Sequence, residues 1–123
     1  MAAQRPRITM EIPASTDSPL LVFTSITGAD AAQALAEALI ELRLAACVQI
    51  ETIRSVYRWQ GQICHGEEQR LLIKTRRALW PALQQAILAR HSDTLPALYA
   101  LEPAEMLAPF ADWLRAETTS PAQ

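Results

Sequence analysis

A Gln-Gly pair, Gln60-Gly61, lies between two segments rich in β-branched and aromatic residues. Glycine reaches positive φ angles at little steric cost, so this pattern predicts a tight turn joining two antiparallel strands. With Gln60 and Gly61 as the turn, facing residues have numbers that sum to 121. Cys47 then faces Lys74 at the base of the hairpin.

The two predicted strands are unusually long. Each extends for about 13 or 14 residues, or about 45 Å, whereas strands in globular proteins have about 5 or 6 residues. An exposed two-stranded ribbon is only marginally stable in water, and its open edges favour pairing with another chain. We therefore expect the distal half of the hairpin to be covered by another subunit.

The apolar positions of the first strand change parity near Thr52. Val48 and Ile50 are apolar at even numbers, whereas Tyr57 and Trp59 are aromatic at odd numbers. One extra residue in a strand moves all following side chains to the opposite face of the sheet. The pattern therefore predicts a β-bulge near Thr52.

The composition is that of an ordinary globular protein. The chain has 123 residues, of which 50% are hydrophobic and 20% charged, and its formal net charge is −2. This mild acidity, without any Lys/Arg-rich run, argues against a nucleic-acid partner. No apolar run approaches the roughly 20 residues that span a bilayer, so we expect no membrane partner.

The two cysteines indicate the compartment. On the predicted register Cys47 and Cys64 lie about ten strand positions, or about 33 Å, apart. A disulfide needs Cα atoms within about 7 Å, so we expect two free thiols. Free thiols and the lack of a signal-peptide pattern at the N-terminus predict a reducing, cytoplasmic location.

The remaining segments complete an α+β pattern. A continuous apolar run predicts a central strand buried on both faces. Helical spacing of apolar residues predicts two amphipathic helices and a final helix, and a short apolar run before the final helix predicts one more strand. The order βαββαβ plus a C-terminal helix is the split-βαβ, ferredoxin-like arrangement with a long β2-β3 hairpin. The corresponding segments are residues 20–25, 31–44, 79–91, 97–101 and 106–114.

The ends of the chain differ from its centre in composition. Residues 1–19 carry Pro6, Pro13 and Pro19 and a polar run, which predicts a flexible N-terminal extension. We expect residues 20–117 to form a single domain and residues 118–123 to be a frayed tail.

Several short motifs together resemble a known family. They are Leu44 to Val48 (LAACV), the alternating Ser55, Tyr57, Trp59, Gly61 and Ile63, then Glu68, Leu72 to Thr75 (LIKT), His91, Pro96 and Trp113. In combination they look like the divalent-cation tolerance proteins called CutA, over about residues 20–115. The resemblance implies a ferredoxin-like subunit in a homotrimer, with the long hairpins pairing between subunits. It also implies a role in tolerance of copper and other divalent ions.

The resemblance further implies a divalent metal site, for copper or zinc. His91 and Asp93 are the candidate ligands in this chain, provided that the chain is extended there. The alternative is that His91 interacts with the dipole of the preceding helix. The family's cysteine at the end of the first strand is replaced here by Phe23 and Thr24, and its carboxylate downstream of the histidine by Ala97.

A second function class is a regulatory or scaffold trimer that resembles the PII signalling proteins in architecture. Such a trimer binds a small anion or a partner protein at clefts between subunits, for which Lys74, Glu68, Tyr57 and Trp59 are the candidate residues. The alternatives are cross-strand ion pairs for the charged residues and interface packing for the aromatic ones. The sequence contains no P-loop, G-x-G-x-x-G or H-E-x-x-H pattern, so we expect no obligatory cofactor and no enzymatic activity.

Overall fold

The computed structural model describes residues 18–119. One antiparallel sheet has the strand order β2-β3-β1-β4, and the predicted ferredoxin-like α+β class is confirmed. Residues 1–17, most of the predicted N-terminal extension, lie outside the described residues. The elements are β1 (Pro19–Ile26), α1 (Ala29–Glu41), β2 (Cys47–Trp59), β3 (Gln62–Arg76), a 3-10 turn (Arg77–Leu79), α2 (Trp80–Leu88), β4 (Leu98–Leu101) and α3 (Ala108–Glu117).

The predicted hairpin register is confirmed along its whole length. Cys47 pairs with Lys74 at the base, and the last pair before the turn is Trp59 with Gln62. Gln60 and Gly61 both have positive φ, 51° and 79°. Two central residues with positive φ define a type I′ turn, whose twist matches that of the flanking strands.

The predicted bulge near Thr52 is wrong, because the pairing of β2 with β3 continues through Thr52 without an extra residue. The change of parity has a different cause. Near the base, even-numbered residues such as Val48 pack against the core under the helices. Near the tip, the odd-numbered Tyr57 and Trp59 line a cleft on the other face. The apolar pattern therefore changes because the covered face changes, while the strand stays regular.

The main core lies between one face of the sheet and the helices α1 and α2. In β1 the residues alternate between buried and half-buried, so the prediction that this strand is buried on both faces is wrong for a single subunit. The helices cover only one of its faces. The core is formed by Leu20, Val22, Ile26, Ala32, Leu35, Ala36, Leu39, Leu44, Ala45, Leu71, Ile73, Leu79, Leu83 and Ile87.

Helix α3 packs near the opposite face of the sheet. Side chains alternate along β3, so Lys74 lies on the face opposite the buried Ile73. The Lys74 Nζ lies 5.5 Å from the centroid of the Phe110 ring, near the start of α3. The last helix therefore covers the base of the hairpin from the side that α1 and α2 leave open.

The tail differs from the predicted frayed end at its first two residues. Thr118 is buried, and its Oγ1 donates a hydrogen bond of 3.0 Å to the carbonyl oxygen of Leu114. The Thr119 amide donates to the carbonyl oxygen of Arg43 over 2.8 Å. The Arg76 guanidinium donates to the carbonyl oxygens of both threonines. Residues 120–123 lie outside the described residues.

Candidate functional site

A cleft opens where the hairpin leaves the sheet. Strand β1 pairs with β3 only as far as Ile26 and Gln69, so residues 62–68 of β3 extend past it. The loop before β4 approaches this projecting segment and encloses a cleft of about 720 Å³. The cleft is lined by Ser25, Thr27, Ser55, Tyr57, Trp59, Glu68, Ser92, Asp93, Thr94, Leu95, Pro96 and Ala97.

The hairpin wall of the cleft follows from the register. Odd-numbered residues of β2 and even-numbered residues of β3 share one face, because facing numbers sum to an odd value. Tyr57, Trp59 and Glu68, three of the predicted cleft residues, therefore line the same cleft. The Ser55 Oγ donates a hydrogen bond of 2.8 Å to the Glu68 Oε1, which orients this half-buried carboxylate.

Lys74, the fourth predicted cleft residue, lies elsewhere. It is about six residues, or about 20 Å, from Glu68 along β3. Its ammonium group lies over the Phe110 ring. Lys74 is therefore separated from the cleft by much of the sheet and contacts α3 instead.

His91 connects two segments of the cleft wall. Its Nδ1 accepts a hydrogen bond of 3.1 Å from the Asp93 amide, so the other nitrogen carries the proton. That Nε2 lies 2.8 Å from the Ser25 carbonyl oxygen, to which it donates. Both partners belong to cleft-lining residues, and neither belongs to the end of α2, so this is not the helix-dipole interaction considered above.

The predicted metal ligands do not fit a copper or zinc ion in this arrangement. Both His91 ring nitrogens already bind backbone groups, and a metal needs a nitrogen lone pair. Phe23 stacks on Tyr99 with ring centroids 5.3 Å apart, and Thr24 is buried. Within residues 18–119, no three His, Cys, Asp or Glu side chains are grouped so that they could hold a metal ion.

Several cleft residues were not predicted from the sequence. Ser55 has the same parity as Tyr57 and Trp59, and this shared face was the signal that could have identified it. Ser25, Ser92, Thr94 and Leu95 gave no comparable signal, whereas Asp93 was predicted only as a metal ligand. Their position depends on the His91 bridge between β1 and the loop, which connects residues far apart in the chain.

The described part of the chain has no helix both long and apolar enough to cross a membrane. Cys47 and Cys64 are both free thiols and half-buried.

The split-βαβ sheet with a projecting hairpin and a cleft at its corner defines a ferredoxin-like α+β class of protein. The CutA1 divalent ion tolerance protein family matches residues 20–117. The chain belongs to this family, which confirms the resemblance seen in its sequence motifs.

Known relatives are similar to this chain along most of its length. The divalent-cation tolerance protein CutA of Thermus thermophilus is 39% identical over 99 residues, which are 80% of this chain and 96% of the relative. The chloroplastic CutA of Arabidopsis thaliana is 32% identical over 112 residues, 90% of this chain but only 62% of the relative. The crystal structure of CutA1 from Shewanella sp. SIB1 is similar with a TM-score of 0.81 and 33% identity, covering 85% of this chain and 99% of that one.

Proposed function

We propose that this chain contributes to the tolerance of divalent cations, copper among them, as a homotrimer that binds its ligands without catalysis. Membership of the CutA1 family supports the role in cation tolerance. The observation that carries the assembly is the projecting hairpin, on which Val56 and Ile63 are largely exposed within one subunit.

The tip of the hairpin exposes apolar side chains. Residues 62–68 and their partners in β2 extend about 23 Å beyond the last pairing with β1. Val56 is 68% exposed and Ile63 62% exposed, and both lie on the same face. They are diagonal neighbours across the two strands, and exposed apolar side chains on an open two-stranded ribbon favour pairing with another chain, for which two further copies supply matching hairpins.

The proposed role does not depend on a copper or zinc ion held by His91 and Asp93. The imidazole is already bound at both nitrogens, and the Asp93 amide is one of its partners. A metal at His91 would need to break at least one of these bonds and move the loop.

The second candidate is a regulatory or scaffold trimer, and the cleft is the observation that favours it. Its volume of about 720 Å³ falls within the range of roughly 300–1,000 Å³ typical of small-molecule sites. Because its charged residues, Glu68 and Asp93, are both acidic, the cleft favours a partner protein over the small anion as the ligand of this candidate. We propose a reducing, cytoplasmic environment, which the two free thiols support.

A growth assay tests the proposed role. A bacterial strain that lacks its own CutA gene is supplied with this chain and grown with rising Cu(II). We expect the chain to restore growth and the double variant Val56→Lys, Ile63→Lys to fail, because two buried charges disrupt the interface. Gln62→Lys, which adds a charge at an exposed position on the opposite face of the hairpin, is the matched control. Equal growth with and without the wild-type chain would contradict the role in copper tolerance.

Calorimetric titration with Cu(II) and Zn(II) tests the predicted ligands separately. We expect the heats of the wild-type chain and of His91→Ala to be the same. Micromolar or tighter binding that disappears in His91→Ala would instead establish His91 as a metal ligand.

A further inference from the structure

We propose that the cleft between the hairpin and the 92–97 loop binds an organic ammonium ligand, a small molecule with a protonated amine. The charges around the cleft carry this inference. Glu68 and Asp93 are both acidic, and none of the lining residues, all within the described range, is Lys or Arg. A cleft with one sign of charge concentrates ligands of the opposite sign.

The size of the cleft distinguishes an organic ligand from a bare ion. A divalent metal ion is held by several ligands at about 2.0–2.6 Å, which requires a compact cluster of side chains. The volume of about 720 Å³ is far larger than such a cluster encloses. It matches a molecule with an organic framework as well as a charge.

The aromatic side chains provide the surface for that framework. Tyr57 is 46% exposed and Trp59 42% exposed, and both line the cleft. The faces of aromatic rings attract ammonium groups through their quadrupole, and they also stack on apolar surface. Leu95, 72% exposed, adds apolar surface from the opposite wall.

Glu68 is the principal anchor for the ammonium group. It is half-buried, and the Ser55 hydroxyl already holds its Oε1 at 2.8 Å. A carboxylate has about four lone-pair sites, so an ammonium can share it with Ser55. The hydroxyl thus orients the carboxylate before the ligand arrives, which lowers the cost of binding.

His91 acts as a positioning residue for the opposite wall. By binding the Ser25 carbonyl and the Asp93 amide, it holds the loop beside the end of β1. All of these residues belong to one subunit, so the inference does not rest on the homotrimer. It goes beyond cation tolerance, because the ligand is an organic cation.

The test compares three probes of nearly equal shape and different charge: benzylammonium, benzyl alcohol and benzoate. Each is titrated into the full-length protein in its native assembly, by calorimetry and ligand-observed NMR. We expect benzylammonium to bind at least tenfold more tightly than benzyl alcohol, and benzoate to bind least.

Two variants assign the binding to the cleft. Glu68→Gln keeps an oxygen that accepts the Ser55 hydrogen bond but removes the charge, and we expect it to abolish the preference for benzylammonium. Glu67→Gln is the matched control, because Glu67 is the neighbour of Glu68 in the chain and its exposed side chain lies on the other face of β3. We expect it to bind like the wild type, and circular dichroism checks that both variants are folded.

Three results of the probe titrations would overturn the inference. They are equal binding of the three probes, tighter binding of benzoate, and a preference for benzylammonium that survives in Glu68→Gln. Zn(II) that displaces benzylammonium and loses its binding in Glu68→Gln would assign the carboxylate to a metal ion, which also overturns it. Light scattering on the same samples reports the assembly independently, so a failure here is distinguishable from a failure of the proposed homotrimer.

Discussion

The Nε2 of His91 donates a hydrogen bond to the Ser25 carbonyl oxygen over 2.8 Å, across 66 positions of the chain. The same ring accepts the amide of Asp93 through Nδ1 at 3.1 Å. One half-buried side chain therefore joins the end of β1 to the loop that closes the cleft. In this position the ring fixes backbone geometry, whereas the sequence offered either a metal ligand or a partner of the helix dipole.

Replacing His91 by Ala should loosen this loop. Two hydrogen bonds are lost, and each contributes about 1 kcal/mol to stability. We expect a free energy of unfolding lower by about 1–2 kcal/mol and faster hydrogen exchange at the Asp93 amide. Asp93→Ala is the matched control, because it keeps the backbone amide that His91 accepts. If the exchange rate at position 93 is unchanged in His91→Ala, the bridge does not hold the loop.

The turn of the hairpin provides a second prediction. Gly61 has φ of 79°, and a Cβ added there would meet no atom within 4 Å. The cost of Gly61→Ala is therefore one of backbone conformation, about 1–2 kcal/mol. Gln60→Asn should be neutral or stabilising, because Asn tolerates the positive φ of this position better than Gln. Chemical denaturation measures both changes.

Gln62→Ala serves as the control for the turn, because Gln62 is exposed and lies in β3 beside the turn. A Gly61→Ala variant as stable as Gln62→Ala would argue against the type I′ geometry.

Glu102 provides a prediction about pH. The hydrogen bond from Arg77, at 2.7 Å, and that from Ser18, at 2.9 Å, hold the pKa of this carboxyl below its usual value. A carboxyl whose pKa is lower in the folded than in the unfolded state stabilises the protein at pH values above its unfolded-state pKa. That stabilisation is lost as the pH falls through its folded-state pKa. Glu102→Gln should therefore be less stable than the wild type at neutral pH, and the difference should vanish in acid.

Acid unfolding curves of the two proteins measure that difference. In an Arg77→Gln background, which lacks the principal hydrogen-bond donor, we expect Glu102→Gln to have a much smaller effect. A stability difference that stays constant from neutral pH into acid would show that the charge of Glu102 is not its cause.

The hairpin was predictable because its determinants are local. Gln60 and Gly61 determine the turn, and the turn determines every pair from Trp59–Gln62 to Cys47–Lys74. The order of helices and strands followed from apolar spacing for the same reason. The bulge was wrongly inferred because the parity of apolar residues reports which face is covered, and a covered face can change while the backbone remains regular.

The cleft was only partly predictable. Tyr57, Trp59 and Glu68 share a face of one hairpin, so the register brings them together. Ser25 and Asp93 are brought to the cleft by hydrogen bonds to the imidazole ring of His91. Apolar periodicity carries no information about such a contact. Lys74 belongs to the family motif, but its place near α3 depends on how the last helix packs.

The mass of the assembly in solution tests the central claim that the exposed hairpin is an interface of a homotrimer. Val56 and Ile63 carry the most exposed apolar side chains of the two long strands, and lysine at both positions should oppose assembly. Gln62→Lys, on the opposite face of the hairpin, is again the control. Light scattering should give the mass of three 13.6 kDa subunits for the wild type and the control, and a smaller mass for the double variant. A folded wild-type chain with the mass of a single 13.6 kDa subunit would contradict the account.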